Sequence, residues 1–314
     1  MAVIRRKILI AVDGSDQALE AVRYISMIVP PDLTEVVLLS VGTGFPEVYW
    51  EMNRNPLYQS KKVKVEKWLA DNQLVLGEFK EKAFKILSDA GFPEEAVTVK
   101  TQTKKTNILK DIVQESYQGY QALVVGRSGI SRLKDFVVRS MAFKLIENVR
   151  HIPIIVVGGK PASKKILIAL DESIEAMRAT TCIGDLARAR GLEVSLFHVF
   201  NDQNLSPISN NGIAGELDQE TVLKYNQNSF RPTMDEAVKR LVKAGMIKKN
   251  ISVDFLFHQG NPIQRIIDTA VEGNYGTIVV GRREAVSFMG VMLHGRVSNK
   301  LISSTCDVAV WVAS

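Results

Sequence analysis

The chain has 314 residues, 46% of them hydrophobic and 24% charged, and its formal net charge is +6. This length suits about two soluble globular domains, and no apolar run approaches the roughly 18 residues that span a bilayer. The N-terminal apolar stretch is short, lacks a small-residue cleavage site and ends at Asp13, so it predicts a core strand in a cytoplasmic protein rather than a signal peptide.

Apolar runs of strand length alternate with helical patterns through the first half of the chain. The predicted strands are "KILIAV", "EVVLLSV", "AVTVKT", "QALVVG" and "PIIVVG". The predicted helices are "DQALEAVRYISMIV", the long segment 61–91 that stops at Gly91, "TNILKDIVQESYQG" and "SMAFKLIENV". Continuous apolar strands are typical of sheets covered on both faces. Five strands alternating with four helices therefore predict a doubly wound parallel α/β sheet.

The second half of the chain repeats the first. "KILIAVDGSD", beginning at Lys7, reappears as "KILIALDESI", beginning at Lys165, an offset of 158 residues. "ALVVGR", ending at Arg127, matches "TIVVGR", ending at Arg282, an offset of 155 residues. A duplicated unit of this length predicts a two-domain tandem rather than a solenoid. The Gly- and Pro-containing linker "GGKPAS" divides the chain into domains at residues 1–159 and 164–314.

Each half has an extra segment after its second strand. "GTGFPEVYWEMNRNPLYQS" in the first half is rich in aromatic residues and is interpreted as a packed lid or contact loop. "NDQNLSPISNNGIAGELDQE" (Asn201–Glu220) is polar and rich in Gly and Asn, which predicts a surface loop.

Small and polar residues follow the first, second and fourth strands of each half. Ligands of open α/β sheets bind beyond the carboxyl ends of the strands, at the switch in strand order, so these residues define candidate sites. Asp13 either accepts hydrogen bonds from a ligand or caps the next helix, for which Ser15 is the more natural residue. Val41 offers backbone contacts and apolar packing suited to an adenine face.

The segment "GRSGISRLKDFVVRSM" (Gly126–Met141) follows the fourth strand. Gly126 and Gly129 allow backbone N–H groups to approach a phosphate closely. Ser140 begins the next helix, where unpaired N–H groups and the helix dipole favour an anion. Gly-x-x-Gly alone is weak evidence, and it gains strength from its position between a parallel strand and a helix.

The segment "KILIAVDGSD", the segment "ALVVGRSGISRLKDFVVRSMAFKLIENVRHIPIIVVG" and their second-half partners resemble the universal stress protein family. The resemblance covers essentially the full length, as two tandem domains. The resemblance implies two five-stranded, Rossmann-like sheets of the adenine-nucleotide alpha-hydrolase type. In the nucleotide-binding branch of that family, the loop reads Gly, two residues, Gly, nine residues, Gly, then Ser or Thr. It holds the ribose and phosphates of ATP, while the Asp after the first strand and a Val after the second hold adenine.

The resemblance therefore implies sites for ATP or another adenine nucleotide, alone or with Mg²⁺. The residues of the first site are Asp13, Ser15, Val41, Gly126, Ser128, Gly129, Arg139, Ser140 and Met141. Those of the second, weaker site are Asp171, Ser173, Val199, Gly260, Gly281, Arg283, Gly295, Arg296 and Val297.

Both loops depart from the family pattern. Arg139 replaces the third Gly of the first loop, where it either blocks the phosphate cradle or lends it a charge. Glu284 replaces the second Gly of the second loop and repels phosphate, although the neighbouring arginines offset this charge. Gly260 favours the second half, since the family often has a small residue there and the first half has Lys105.

Other constellations are less specific. Basic residues occur as scattered pairs, which support nucleic-acid binding weakly and suit small anions equally well: Lys104–Lys105, Lys164–Lys165, Lys248–Lys249 and Arg282–Arg283. His198 and His258 end two strands and are interpreted as polar rim residues, with a metal or acid–base role as the alternative. Cys182 and Cys306 form neither a disulfide framework nor a metal spacing and are interpreted as small buried residues.

Three functions follow from these patterns. The first is a cytoplasmic stress-response regulator that binds adenine nucleotide in at least one half. The second is an interaction scaffold of the same family with degenerate sites. The third is an enzyme of the wider adenine-nucleotide-binding α/β group, which would need a catalytic loop that no motif in the sequence provides. The first function allows at most slow ATP hydrolysis, since no general base is identifiable.

The last strand of each half bears on assembly. "HIPIIVVGG" and "TCDVAVWVA" are apolar edge strands, and exposed apolar edges seek partners. In the family these strands commonly pair across a dimer. The duplication predicts that they pair within one chain, as a pseudo-dimer, with a homodimer and a further protein partner left open.

Overall fold

A computed structural model describes residues 5–42, 59–127, 141–188, 190–200, 219–258, 261–282, 296–305 and 307–313. Contacts between residues divide the chain into two compact units. Unit 1 consists of Met1–Ser26 and Pro31–Val149, and unit 2 of Met27–Pro30 and Arg150–Ser314. Residues 43–58 of the predicted lid and 201–218 of the predicted surface loop lie outside the described residues.

The strands of unit 1 form a parallel sheet. They are β1 (Arg6–Ala11), β2 (Thr34–Gly42), β3 (Val97–Thr103) and β4 (Ala122–Gly126). Their order is β3-β2-β1-β4. Ile8, Leu9 and Ile10 of β1 are each 0% exposed, so this strand is covered on both faces and needs no polar alternation.

Helices alternate with these strands, as the sequence predicted. They are α1 (Asp16–Ile28), α2 (Gln59–Asp89), α3 (Ile108–Ser116) and α4 (Met141–Asn148). In α2, Phe79, Ala83 and Leu87 recur at every fourth position and are all buried, because residues at this spacing share one face of a helix. α2 contacts β3, and α3 contacts both β2 and α4.

The long helix α2 ends at the glycine that the sequence marked. Gly91 has a φ of +91°, and its N–H donates to the Ser88 carbonyl at 2.9 Å. The next N–H, that of Phe92, donates to the Leu87 carbonyl at 3.0 Å. This is a Schellman motif, in which a left-handed residue satisfies the last carbonyls of the helix.

The strands of unit 2 form a mixed sheet. They are β5 (Ile154–Val157), β6 (Lys165–Ala169), β7 (Glu193–Phe200), β8 (Ile251–Phe257), β9 (Thr277–Gly281) and β10 (Ala309–Ala313). Their order is β5-β10-β9-β6-β7-β8. The pairs from β10 to β8 are parallel, whereas β5 pairs with β10 in antiparallel register, with Trp311 opposite Ile155.

The helices of unit 2 cover both faces of this sheet. They are α5 (Ile174–Ala187), α6 (Gln219–Lys243), α7 (Pro262–Glu272) and α8 (Arg296–Ser304). α5 packs on α6 and on β9, and α7 packs on α8 and on β7. Two helix pairs on one mostly parallel sheet form the doubly wound arrangement that the alternation predicted.

The last strand of the first repeat belongs to unit 2. The sequence assigned "PIIVVG" to a five-stranded parallel sheet of the first half and placed the domain boundary at 159–164. The compact units divide between Val149 and Arg150, so β5 is grouped with its antiparallel partner β10. The domain boundary at 159–164 stays a prediction. The predicted pairing of the two last strands within one chain is confirmed.

Replacing Gly91 by Ala tests the helix stop. A Cβ at this left-handed position costs about 1–2 kcal/mol, so we expect the free energy of unfolding to fall by that amount in urea titrations. Gly77→Ala, in the interior of the same helix, is the matched control. A Cβ there contacts nothing within 4 Å, and we expect it to stabilise the protein by about 0.5–1 kcal/mol. Equal effects of the two substitutions would contradict this account of the helix end.

Candidate functional site

The crevice of unit 1 lies at the carboxyl ends of β1 and β4. These strands run side by side, with Ala11 opposite Val125, so the residues that follow them meet at one edge. β1 also has β2 on its other side, and the strand order therefore switches direction at β1. The structure thus brings Asp13 and Gly126 to the position where open α/β sheets bind ligands.

The turn after β1 begins α1 and leaves polar atoms at its surface. The Ser15 hydroxyl accepts from the Ala18 N–H at 3.2 Å and so caps the helix, as the sequence predicted. Asp13 is exposed, and its Oδ1 accepts from the Ser15 N–H at 3.1 Å. This geometry is compatible with both predicted roles of Asp13, as a cap and as an acceptor for a ligand. One carboxylate oxygen helps to cap the turn, and Oδ2 accepts no hydrogen bond from the described residues.

Gly126 is explained by packing against α1. A Cβ at this residue would lie 2.8 Å from Gln17 Cγ, 3.0 Å from the Gln17 carbonyl oxygen and 3.1 Å from its carbonyl carbon. The end of β4 therefore touches the backbone of the first turn of α1, and any side chain would push the two apart. This contact sets the width of the crevice, independently of any phosphate.

The loop after β3 lies beside the end of β2, at the same end of the strands as the turn after β1 and the end of β4. The Lys104 N–H donates to the Gly42 carbonyl at 2.8 Å, which ties this loop to the end of β2 beside Val41. Asp111, on α3, accepts from the Lys105 N–H at 2.8 Å and from the Thr106 N–H and hydroxyl at 3.3 and 2.9 Å. Burial alone would raise the pKa of Asp111, but these hydrogen bonds outweigh it and lower the pKa.

The equivalent turn of unit 2 is closed on itself. Asp171 Oδ1 accepts from the Ser173 N–H at 2.9 Å and also from the Ser173 hydroxyl. That hydroxyl oxygen accepts from the Ala176 N–H at 3.1 Å and caps α5. The Ser173 hydroxyl therefore uses its proton inside the turn, whereas Ser15 makes no such bond to Asp13.

The end of β9 repeats the close approach seen in unit 1. A Cβ at Gly281 would lie 2.4 Å from the Ala176 N and 2.7 Å from the Glu175 carbonyl oxygen, in the first turn of α5. The next residue, Arg282, is partly buried, and this burial, with repulsion from Arg150, lowers its pKa to about 10. It remains charged at neutral pH and places a cation at the edge of this crevice.

His198 does not lie at the rim, where the sequence placed it. Its side chain is buried and stacks on Phe230 with ring centres 3.8 Å apart, and its Nδ1 lies 2.6 Å from the Leu170 carbonyl oxygen. Burial lowers the pKa of His198, so the imidazole is neutral at neutral pH. The ring supports the backbone before Asp171, and a metal or acid–base role with His258 finds no support in this packing.

Parts of both predicted sites lie outside the described residues. In the first site these are Ser128, Gly129, Arg139 and Ser140, and in the second they are Gly260, Arg283 and Gly295. Met141 and Arg296 are described as the first residues of α4 and α8. Val199 is buried, and Val297 is 40% exposed.

Other chemistries lack a basis in the part of the chain that the structure describes. Burial, with the charge of Asp185, raises the pKa of the Cys182 thiol to about 12, so it is not a nucleophile at neutral pH. The described residues contain no group of His, Cys, Asp and Glu side chains that could hold a metal ion. Among the described helices, none is both long and apolar enough to cross a membrane.

A doubly wound α/β unit with a capped acidic turn after its first strand and a glycine after its fourth is present twice in this chain. The sequence pattern of the universal stress protein family matches residues 5–158 and 162–312. The chain therefore belongs to the universal stress protein family, as a tandem of two domains.

Known proteins support this assignment. Universal stress protein YxiE of Bacillus subtilis (strain 168) is 28% identical over 149 residues, which cover 46% of this chain and 97% of that protein. A universal stress protein from Archaeoglobus fulgidus DSM 4304 superposes with a TM-score of 0.60 at 18% identity, covering 98% of both chains. A protein of unknown function from Pseudomonas aeruginosa PAO1 gives a TM-score of 0.53 at 15% identity, covering 98% of this chain. Both structures share the fold of the whole chain.

Two residues that shape the first site, Gln17 and Asp111, were not predicted from the sequence. Gln17 sets the crevice width through its backbone, and no sequence signal marks such a contact. Asp111 fixes the loop after β3, and here a signal was present. Thr106 and the helix cap Asn107 precede α3, and an Asp in the first turn can reach back to the N–H groups of such a loop.

Gly126→Ala tests the close approach at the crevice. The added Cβ meets Gln17 backbone, which cannot rotate away, so we expect unfolding free energy to fall by about 1–3 kcal/mol. Gly42→Ala, at the end of the adjacent β2, contacts nothing within 4 Å and is expected to change stability by less than about 0.5 kcal/mol. Chemical denaturation without ligand measures both, and a neutral Gly126→Ala would contradict the packing account.

Asp111→Asn tests the loop with a pH signature. The amide loses an acceptor oxygen, so we expect a loss of about 1–3 kcal/mol at pH 7. Because the folded-state pKa of Asp111 is lowered, its contribution is full above the ordinary carboxyl pKa of about 4 and fades as the pH falls through the folded-state value. The difference from the wild type should therefore shrink below about pH 4. Exposed Asp235→Asn is the control, and a pH-independent deficit for Asp111→Asn would refute this assignment.

Proposed function

We propose that this universal stress protein is a cytoplasmic regulatory protein of the stress response that binds an adenine nucleotide (ATP, ADP or AMP) in unit 1. The nucleotide-bound state is signalled through a protein partner or a dimer surface. Family membership supports the stress-response role, and the position of the crevice at the strand-order switch supports the ligand site.

The observation that carries the proposal is the difference between the two acidic turns. In unit 1, Asp13 is exposed and has an oxygen without a hydrogen bond from the described residues, and Ser15 keeps its hydroxyl proton for another acceptor. In unit 2, Asp171 and Ser173 bond to each other. A turn whose serine hydroxyl is available as a donor costs less to engage than one in which the bond from that hydroxyl must break first.

The chemistry of adenine fits this turn. Its exocyclic amine is a hydrogen-bond donor that suits a carboxylate oxygen of Asp13, and its flat apolar face suits packing on Val41. The first turn of α1 presents N–H groups near the same edge. The ribose and phosphates then belong to the segment from Ser128 to Met141, in which Arg139 supplies a charge or an obstruction.

The second candidate is a scaffold without nucleotide, and one observation favours it. Gly126 and Gly281, the first glycines of the two loops, are each required by contact with the helix that follows the first strand. Their presence in the sequence is therefore explained without a phosphate. A chain that had lost nucleotide binding would still keep both glycines to fold.

Thermal unfolding with and without nucleotide tests the proposal. A ligand that binds only the folded chain stabilises it, by about 2.7 kcal/mol at a concentration of 100 times Kd. We expect the melting temperature to rise with excess AMP, ADP or ATP, with and without Mg²⁺. Asp13→Ala should abolish this rise, because it removes the adenine acceptor.

Asp171→Ala is the matched control in unit 2. It breaks the bonds to Ser173 and lowers the melting temperature of the free protein, but it should leave the nucleotide-dependent rise intact. No rise with any nucleotide, and no nucleotide released from the purified protein on denaturation, would establish the scaffold instead. A rise lost in Asp171→Ala and kept in Asp13→Ala would move the site to unit 2.

A further inference from the structure

The amino-terminal edge of the unit 1 sheet, opposite the crevice, is occupied by paired charges. Lys7 lies 3.5 Å from Glu35 and 5.3 Å from the centre of the Tyr120 ring. The Tyr120 hydroxyl donates to Glu115 at 2.7 Å, and the Lys100 ammonium lies 2.6 Å from the other oxygen of that carboxylate. Each charge in this cluster thus has a partner of opposite sign within the unit.

Unit 2 has the same residue types at three of the equivalent positions. Lys165 stands opposite Glu193 in the strand register, as Lys7 stands opposite Glu35. Tyr275 precedes β9 as Tyr120 precedes β4. Lys165 and Glu193, however, make no ion pair within the described residues, and the Tyr275 hydroxyl makes no hydrogen bond there.

The residues that fill the cluster in unit 1 are changed in unit 2. Ala270, which is 0% exposed, stands where the repeat alignment places Glu115, so the buried carboxylate is gone. Asp254 takes the register position of Lys100. Its carboxylate is engaged by two hydroxyls, since Ser195 donates to it at 2.6 Å and Ser252 at 3.0 Å. Asp254 is thus partly satisfied without a lysine.

A cavity of about 260 Å³ lies at this edge of unit 2. We call it the edge cavity, and its lining residues are Lys165, Glu193, Val194, Ser195, Lys249, Asn250, Ser252 and Tyr275. Since a water molecule occupies about 30 Å³ in the liquid, the edge cavity has room for a small solute. It is smaller than the usual range of about 300–1,000 Å³ for drug-sized ligands.

The turn that enters the third strand reverses its charge between the units. In unit 1 this turn is Glu94–Ala96, and Glu95 pairs with Arg5 at 3.0 Å. In unit 2 it is Lys248–Asn250, and Lys249 and Asn250 line the edge cavity. Lys165 lines it too, so one lysine from each of two basic pairs, Lys164–Lys165 and Lys248–Lys249, reaches the cavity. Lysines at this density favour an anion.

We propose that the edge cavity binds a small phosphate-bearing anion. The ammonium groups of Lys165 and Lys249 bind its charged oxygens, and the Asn250 amide and the Tyr275 hydroxyl are further donors. Glu193 is the one carboxylate among the lining residues, and it stands opposite Lys165 in the strand register. The site lies in unit 2, at the amino-terminal ends of its strands, and does not depend on the proposed function.

Calorimetric titration of the full chain with inorganic phosphate at low ionic strength tests this proposal. The wild type should show saturable binding. Lys165→Gln combined with Lys249→Gln should weaken it about tenfold or more, because charge-assisted hydrogen bonds are about twice as strong as neutral ones. Lys249→Glu, which copies the charge of Glu95 in unit 1, should abolish it. Tyr275→Phe should weaken it by a smaller factor.

The control is Lys239→Gln combined with Lys243→Gln, which removes the same charge from exposed positions of α6 in the same unit. We expect phosphate affinity to stay within about twofold of the wild type, since neither lysine lines the cavity. Equal losses in the two double variants would mean that net charge alone attracts phosphate. Binding that persists in the cavity variant, or an unsaturable titration of the wild type, would also overturn the proposal.

Discussion

The approach of the fourth strand to the first turn of the helix after the first strand is the contact on which each candidate site depends. It occurs at Gly126 against Gln17 in unit 1 and at Gly281 against Glu175 and Ala176 in unit 2. Because backbone meets backbone, only glycine fits at the end of the strand. The contact holds the helix start, with its capped acidic turn, beside the strand-order switch, and so forms the crevice before any ligand is present.

The two units share this contact and differ in how their polar groups are satisfied around it. In unit 1 the Ser15 hydroxyl makes no bond to Asp13, whereas in unit 2 the Ser173 hydroxyl donates to Asp171. The opposite edge shows the reverse. Unit 1 pairs its charges there around Glu115, whereas unit 2 has Ala270 and a lysine-lined cavity. The two units therefore share one fold and differ in their polar groups at both ends of the strands.

The sequence predicted the alternation of strands and helices, because buried parallel strands are continuously apolar and helix ends such as Gly91 carry their own signals. It also predicted Ser15 as a cap and the pairing of the last strands. It did not give the antiparallel direction of that pairing, with Trp311 opposite Ile155, because apolar patterning does not specify the direction of a strand.

The site was predictable in position but not in detail. Asp13, Val41 and Gly126 follow from strand ends alone. The packing role of Gly126 depends on the backbone of Gln17, and the burial of His198 depends on Phe230 from a helix that is distant in sequence. Neither contact leaves a local pattern, because tertiary neighbours and not spacing along the chain decide what a side chain touches.

The most direct test of the central claim is the number of nucleotides bound at saturation, measured by native mass spectrometry of the purified chain with ADP. The account predicts one nucleotide per chain and none after Asp13→Ala, because the Ser15 hydroxyl of unit 1 is available as a donor, whereas the Ser173 hydroxyl of unit 2 donates to Asp171. No nucleotide on the wild type, two per chain, or one that survives Asp13→Ala would contradict it.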